Sequence, residues 1–292
     1  MSNASQPSQP LQPVSPISAP ADRPSRGNLQ DIYVTFFRKT LMEMSQYRAN
    51  LAIWILSLIA EPIIYMTIWT TIAQQQGGSV QGITAGEFAA YYITWMLARH
   101  FAVTLSPEAI SWRVRSGTFS GLLMRPVHPI HADVGENIGY KLVALPIILL
   151  AMLGLALVFP PTFTLQWWTV LAFIPAMMLA FFIRFLSHWI LGLIAFWTTR
   201  ASAIYEMFFV AEIFLTGRLA PLELLPDWII TLASVLPFRW MLSFPVEVLL
   251  GRIAPQDLWV GFGAQLIWLA IMLVLLNIVW KAATRHYSAV GA

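Results

Sequence analysis

Apolar stretches long enough to cross a bilayer alternate along this chain with short polar turns, and one long polar interruption breaks the rhythm. A crossing needs about 20 apolar residues. Six stretches are readable on that scale: Leu51–Ala73, Phe88–Ile110, Leu142–Phe159, Trp167–Thr198, Ala203–Thr216 and Leu258–Trp280. The fourth exceeds one straight crossing, which predicts a tilt, a kink near Arg184, or projection beyond the lipid. The fifth is short. Ahead of the first, Asn28–Asn50 places Ile32, Phe36, Phe37, Leu41 and Met44 at helical spacing, with Arg38, Lys39, Glu43 and Arg48 on polar positions. Such a helix is expected to lie in the membrane interface; an ordinary cytoplasmic helix is the alternative.

After the fifth stretch the pattern changes. Gly217–Asp257 is apolar but is interrupted by Pro221, Pro226, Pro237, Pro245 and Pro255. Proline removes backbone donors and bends helices, and irregular backbone at membrane depth needs cover from protein or water. The segment predicts two short helices, Asp227–Leu236 and Arg239–Leu250, that dip into the membrane and return to the same side. Six spans with both termini cytoplasmic put twelve of the 17 Lys and Arg inside. A seventh crossing would carry Lys281, Arg285 and His286 outside, against the positive-inside rule.

Composition agrees with this pattern. Hydrophobic residues make up 58% of the 292 positions and charged residues 11%, with a mean hydropathy of +0.68. Soluble domains carry about 25% charged residues, so an integral membrane protein is implied. The 13 Trp and 8 Tyr suit interfacial rings. A net charge of +3, spread over loops and span ends, makes nucleic-acid binding a poor reading. The absence of cysteine excludes disulfides, thiolate metal sites and thiol catalysis. Residues 1–27, rich in Ser, Pro, Gln and Ala, are expected to form a disordered tail. They lack the apolar core of a secretory signal, so the first span is expected to direct insertion.

Several charges fall inside the apolar stretches. Glu61 lies about thirteen residues from the outer loop Gln74–Glu87 along the first, and Arg99 about twelve along the second, so a hairpin brings them to similar depth. Each alone costs about 2.5–3.5 kcal/mol in the membrane. They form either an ion pair that fixes packing or a polar patch on a substrate path. Arg184 and His188 share one face of the fourth stretch, with Glu206 and Glu212 on the fifth as candidate partners or members of a proton relay.

The polar interruption, Ile110–Lys141, carries the remaining chemistry. Arg113 and Arg115 precede a Ser116–Gly117 turn signal. Thr118–Met124 then forms a short amphipathic stretch with Phe119, Leu122 and Leu123 on one face. Arg125–Pro126 ends it, and His128, Pro129 and His131 follow. A short helix bounded by breakers suits docking into the groove of a soluble partner; a plain positively charged loop is the bland alternative. His128 and His131 have too few neighbouring ligands for a metal site, so none is expected. The chain has no phosphate loop, nucleophile elbow, zinc-protease helix or dinucleotide fingerprint, and no catalytic residue is assigned.

The order of parts resembles the permease subunits of type-2 ABC transporters, the ABC-2 exporters, over Asn28 to the C-terminus. It is most like a branch whose domain has no assigned function. The matching phrases are Arg115–Ser116–Gly117, Leu122–Leu123–Met124–Arg125–Pro126–Val127–His128–Pro129, Ile138–Gly139–Tyr140–Lys141, Phe196–Trp197, Gly217–Arg218–Leu219, Pro237–Phe238–Arg239 and Phe244–Pro245–Val246–Glu247. The resemblance implies an all-α membrane protein with six transmembrane helices, an N-terminal interfacial helix, a coupling helix and re-entrant outer helices. The transmembrane domain would be residues 28–292. It implies a multi-pass inner-membrane subunit, paired with a second or paralogous permease and two separate ATP-binding subunits. Those partners would hold ATP and Mg; this chain would bind no cofactor. The coupling helix would be Arg113–His131, with Arg113, Arg115, Gly117, Phe119, Leu122, Leu123, Arg125, Pro126, His128 and Pro129 as its contacts. A secondary transporter driven by an ion gradient is the alternative, and it predicts matched breaks in both halves.

Overall fold

Backbone polar groups in apolar surroundings must pair within their own segment, which leaves helix as the default. The computed structural model describes residues 33–35, 37–39, 42, 48–125, 127–198 and 200–286, without the side chains of 48–55, 57 and 58. The expected tail at 1–27, most of the expected interfacial helix, and Pro126 lie outside the described residues. Helix α1 is Arg48–Gln75, with Pro62 inside it. A two-residue hairpin, β1 (Ser79–Val80) and β2 (Ile83–Thr84), pairs Ser79 with Thr84 and Val80 with Ile83. Its turn places Gln81 and Gly82 at positive φ of 48° and 87°, the geometry of a tight hairpin turn.

Thr84 then starts α2, Ala85–Ala102, through a capping box with Glu87. This helix is buried nearly all round, with Phe88, Tyr92, Trp95 and Met96 completely covered. It stops at Ala102 rather than continuing to Ile110, and residues 103–106 are non-helical. Ser106 accepts a hydrogen bond from Ala109 N–H and Pro107 occupies the first turn of α3, Pro107–Arg115. Serine caps and first-turn proline both favour a fresh start there. After the five-residue α4, Phe119–Leu123, helix α5 runs Ile130–Val158. It begins well before Leu142, so the second half of the polar interruption is helix and not loop.

Helix α6, Trp167–Leu193, is continuous through Arg184, where a kink was one expectation. It contains Pro175 and tightens into a 3₁₀ turn at Ile194–Phe196. Helix α7 is Ser202–Leu215. The proline-broken segment folds into α8, Asp227–Val235, then a π-helical turn, Arg239–Ser243, leading into α9, Phe244–Leu249. The two arms bend by 81°. Helix α10, Leu258–His286, closes the bundle.

Among the described residues, three helices are long and apolar enough to cross a membrane: α5, α6 with its 3₁₀ turn, and α10. Counting the bent pair as one span gives four. Leu150, Leu153 and Leu157 on α5 and Ile267, Val274 and Ile278 on α10 are more than half exposed. Contiguous apolar faces of this kind suit lipid rather than water.

Helix α6 is the hub, touching α2, α3, α9 and α10. One apolar cluster gathers around α2, and a second around Phe185, Leu186, Trp189 and Leu193 of α6. Close approach between α10 and α9 depends on Gly261, where a Cβ would lie 2.0 Å from the Phe244 ring. That ring is buried and wedged between Trp240 and Phe262. Gly261→Ala is therefore expected to lower stability by about 1–3 kcal/mol through overpacking. Gly263→Ala, which meets nothing within 4 Å, is expected to be neutral or stabilising; thermal unfolding in detergent compares the two.

Candidate functional site

Two polar constellations stand out against the apolar bundle. The first is the elbow formed by α3, α4 and the start of α5. Gly117 adopts a φ of +75°, which reverses the chain after α3 and is open to glycine at little cost. Arg113 Nη1 donates to Asp133 Oδ1 at 2.6 Å, and Trp189 Nε1 donates to the other carboxylate oxygen at 2.8 Å. One buried carboxylate thus ties α3 to α5 and α6. Lys39 Nζ donates to Glu136 Oε1 at 2.7 Å, and Tyr33 Oη lies 3.4 Å from His131 Nδ1. The described N-terminal residues are therefore held against the same helix start.

The underside of the elbow is apolar. Phe119 is buried edge-on against Phe196 and packs against Trp280. Leu122 and Leu123 are half-buried on the same cluster. The His128 ring lies tilted against Trp280, with centroids 4.2 Å apart, and accepts the Ile130 N–H at Nδ1, and Pro129 is buried. Of Phe119, Leu122 and Leu123, read from sequence as the face offered to a partner, Phe119 is turned into the chain's own core, and the two leucines pack against that core while half-exposed. Of the predicted coupling residues, Arg115 and Arg125 are exposed and Gly117 is half-exposed. Trp112 and Met124, which are not among the predicted coupling residues, are 60% and 82% exposed beside them. Trp112 lies three residues before Arg115 on α3, so helical spacing could have placed them on one face.

The second constellation lies deeper, between α1, α2, α6 and α7. Glu61 pairs with Arg99, which the count along the chain puts at similar depth, and also with Arg218. Arg184 Nε and Nη2 grip both oxygens of Glu212 at 2.7 and 3.0 Å, while its Nη1 donates to Ala102 O at 2.8 Å. His188 Nε2 lies 3.4 Å from Glu212 Oε1, and its Nδ1 meets Thr104 Oγ1 at 2.7 Å. Glu206 is exposed on α7 and joins no ion pair among the described residues. The turn at Gly217, with a φ of +72°, brings Arg218 onto Glu61. Among the described residues, no group of three or more His, Asp or Glu gathers to hold a metal ion.

A family model described as ABC-2 family transporter protein matches residues 59–291. The chain belongs to the ABC-2 transporter family. No match to a curated protein is found. The matched region starts within α1 and takes in both polar constellations apart from Tyr33 and Lys39. This ABC-2 chain is a multi-pass membrane permease of an ABC-type transporter, a class of non-enzymatic membrane subunits that work with ATP-binding ABC subunits.

Two stability effects follow for the permease. Asp133→Ala leaves Arg113 and Trp189 without their shared acceptor, and a broken buried pair costs about 3 kcal/mol. Lys39→Ala removes an exposed pair and is expected to cost under about 1 kcal/mol; chemical unfolding in detergent separates the two. Burial, helped by neighbouring His131, holds the His128 imidazole below the usual histidine range. The folded state thus prefers neutral His128. Its contribution is complete above the unfolded value of about 6.5 and is lost as pH falls through the lower folded value. Melting temperatures at pH 7.5 and 5.0 are expected to drop further in the wild type than in His128→Phe.

Proposed function

We propose that this chain is the permease subunit of an ATP-driven ABC exporter in the inner membrane, and that the exposed rim of the elbow receives the ATP-binding subunits. The observation that carries this reading is the elbow's two-sided construction. Its apolar underside is packed onto α6 and α10, while Trp112, Arg115, Met124 and Arg125 face outward. An aromatic residue, a methionine and two guanidiniums on a rigid base have the composition of an interface hot spot. This replaces Phe119, Leu122 and Leu123 as partner contacts.

In this reading two permease chains, identical or paralogous, sit over two ATP-binding subunits, with the elbows and both termini cytoplasmic. The chain crosses six times, with α1 and α2 as the first pair, and α8 with α9 forms a re-entrant hairpin on the outer side. ATP and Mg belong to the partner. Closure of the partner pair pushes on the elbow rim, and the Arg113–Asp133–Trp189 bridge passes that push to α5 and α6. The bundle then rearranges at the dimer interface, and access alternates between the two membrane faces.

The test is co-purification. The wild-type chain is expected to carry an ATP-binding subunit through affinity purification in mild detergent, with ATPase activity in the complex. Replacing Trp112, Arg115, Met124 and Arg125 together by Ala is expected to reduce co-purification at least tenfold while leaving the melting temperature of the permease within a few degrees. Full retention of the partner by that variant overturns the assignment of the rim.

A further inference from the structure

Positive charge outnumbers negative charge in the deep constellation. Elsewhere the ion pairs balance: Arg239 with Glu247, Arg252 with Glu223, and Arg113 and Lys39 with Asp133 and Glu136. Here Arg99 and Arg218 share the single carboxylate of Glu61, and Arg184 takes all of Glu212. Among the described residues, three guanidiniums meet two carboxylates.

The surplus is also the accessible part. The side chains of Arg99 and Arg218 retain 26% and 31% of their exposure, against 16% for Glu61 and 5% for Glu212. Arg99 donates to Glu61 through Nη1 and Arg218 through Nε. Among the described residues, Arg99 Nη2 and both terminal nitrogens of Arg218 have no acceptor. Both arginines line a cavity of about 30 Å³ whose wall also includes Trp95, Arg184, Glu212 and Thr216. The buried Trp95 Nε1 in that wall is also without a partner.

An uncompensated guanidinium in an apolar bundle calls for a counterion. The fork geometry of arginine matches the paired oxygens of phosphate or carboxylate. The cavity has room for one or two water-sized groups, which fits the oxygens of a head group and excludes the body of an amphiphile. We propose that the Arg99–Arg218 face binds the oxyanion of an amphiphilic cargo, whose apolar part stays in the surrounding lipid. This rests on the permease reading and adds to it the chemical class of what is carried.

The test titrates the full-length chain, purified in dodecyl maltoside without any ATP-binding partner, with dodecyl phosphate at constant micelle concentration, and follows tryptophan fluorescence. Saturable quenching is expected in the wild type. Arg218→Gln is expected to weaken the apparent affinity at least tenfold, and Arg218→Lys to recover part of it. Glu61→Gln removes the competing carboxylate and is expected to tighten binding. Competition by millimolar inorganic phosphate supports oxyanion recognition with the free ion as a ligand. Lack of competition, with the Arg218 effects intact, supports recognition of the head group on its chain. Equal affinity in wild type and Arg218→Gln overturns the proposal, as does equal quenching by uncharged octyl glucoside. Because no partner subunit is present, failure of this titration leaves the elbow assignment standing, and failure of co-purification leaves the titration interpretable.

Discussion

A helix that ends inside an apolar bundle leaves its last carbonyls without intrahelical donors, and α2 ends in that way at Ala102. An unsatisfied buried carbonyl costs about 1–3 kcal/mol. Donors reach across from two other helices. Arg184 on α6 donates to Ala102 O at 2.8 Å, and Lys141 on α5 donates to Val103 O at 2.5 Å. Cationic donors suit the negative end of a helix dipole. His100, one turn back, meets Lys141 O at 3.0 Å, and Thr104 meets His188. The end of α2 is thus the point at which three helices are registered against one another.

Both polar constellations depend on that arrangement. Because α2 stops there, the chain can turn and restart as α3, which sets the direction of the elbow. Because Arg184 is anchored on Ala102 O and Glu212 at once, α7 is fixed beside α2. The floor of the charged cavity is then in place for Arg99 and Arg218 to share Glu61. Hydrogen-bond satisfaction at one helix terminus therefore precedes both the elbow and the charged cavity.

Much of this was legible in the sequence where depth or proline decides. Glu61 and Arg99 could be matched by counting from a short outer loop, and the prolines of Gly217–Asp257 marked two short helices whose ends fall within a few residues of those observed. Hydropathy could not find the end of α2. Ile110 and its apolar neighbours continue the pattern after the break, and the donors that make the break tolerable come from residues 38 and 82 positions away. The facing of Phe119 was hidden for a related reason. An amphipathic helix of five residues has one apolar side, but only Phe196 and Trp280, distant in sequence, show that the chain itself covers it. That Arg218 reaches Glu61 was hidden as well, because a positive-φ glycine turns its direction without changing the charge pattern.

The bridge through Asp133 sits near the foot of a helix of 29 residues. At 1.5 Å of rise per residue that helix is about 43 Å long. Such a rod converts angle into distance: a tilt of about 5° at the foot sweeps the far tip through about 4 Å, close to the width of an acyl chain. The short, charge-assisted contact between Arg113 and Asp133 removes slack at the pivot. A small rotation at the foot of this helix would reach its far tip as an atom-sized displacement, with Pro146 the interior point at which its backbone ladder is interrupted.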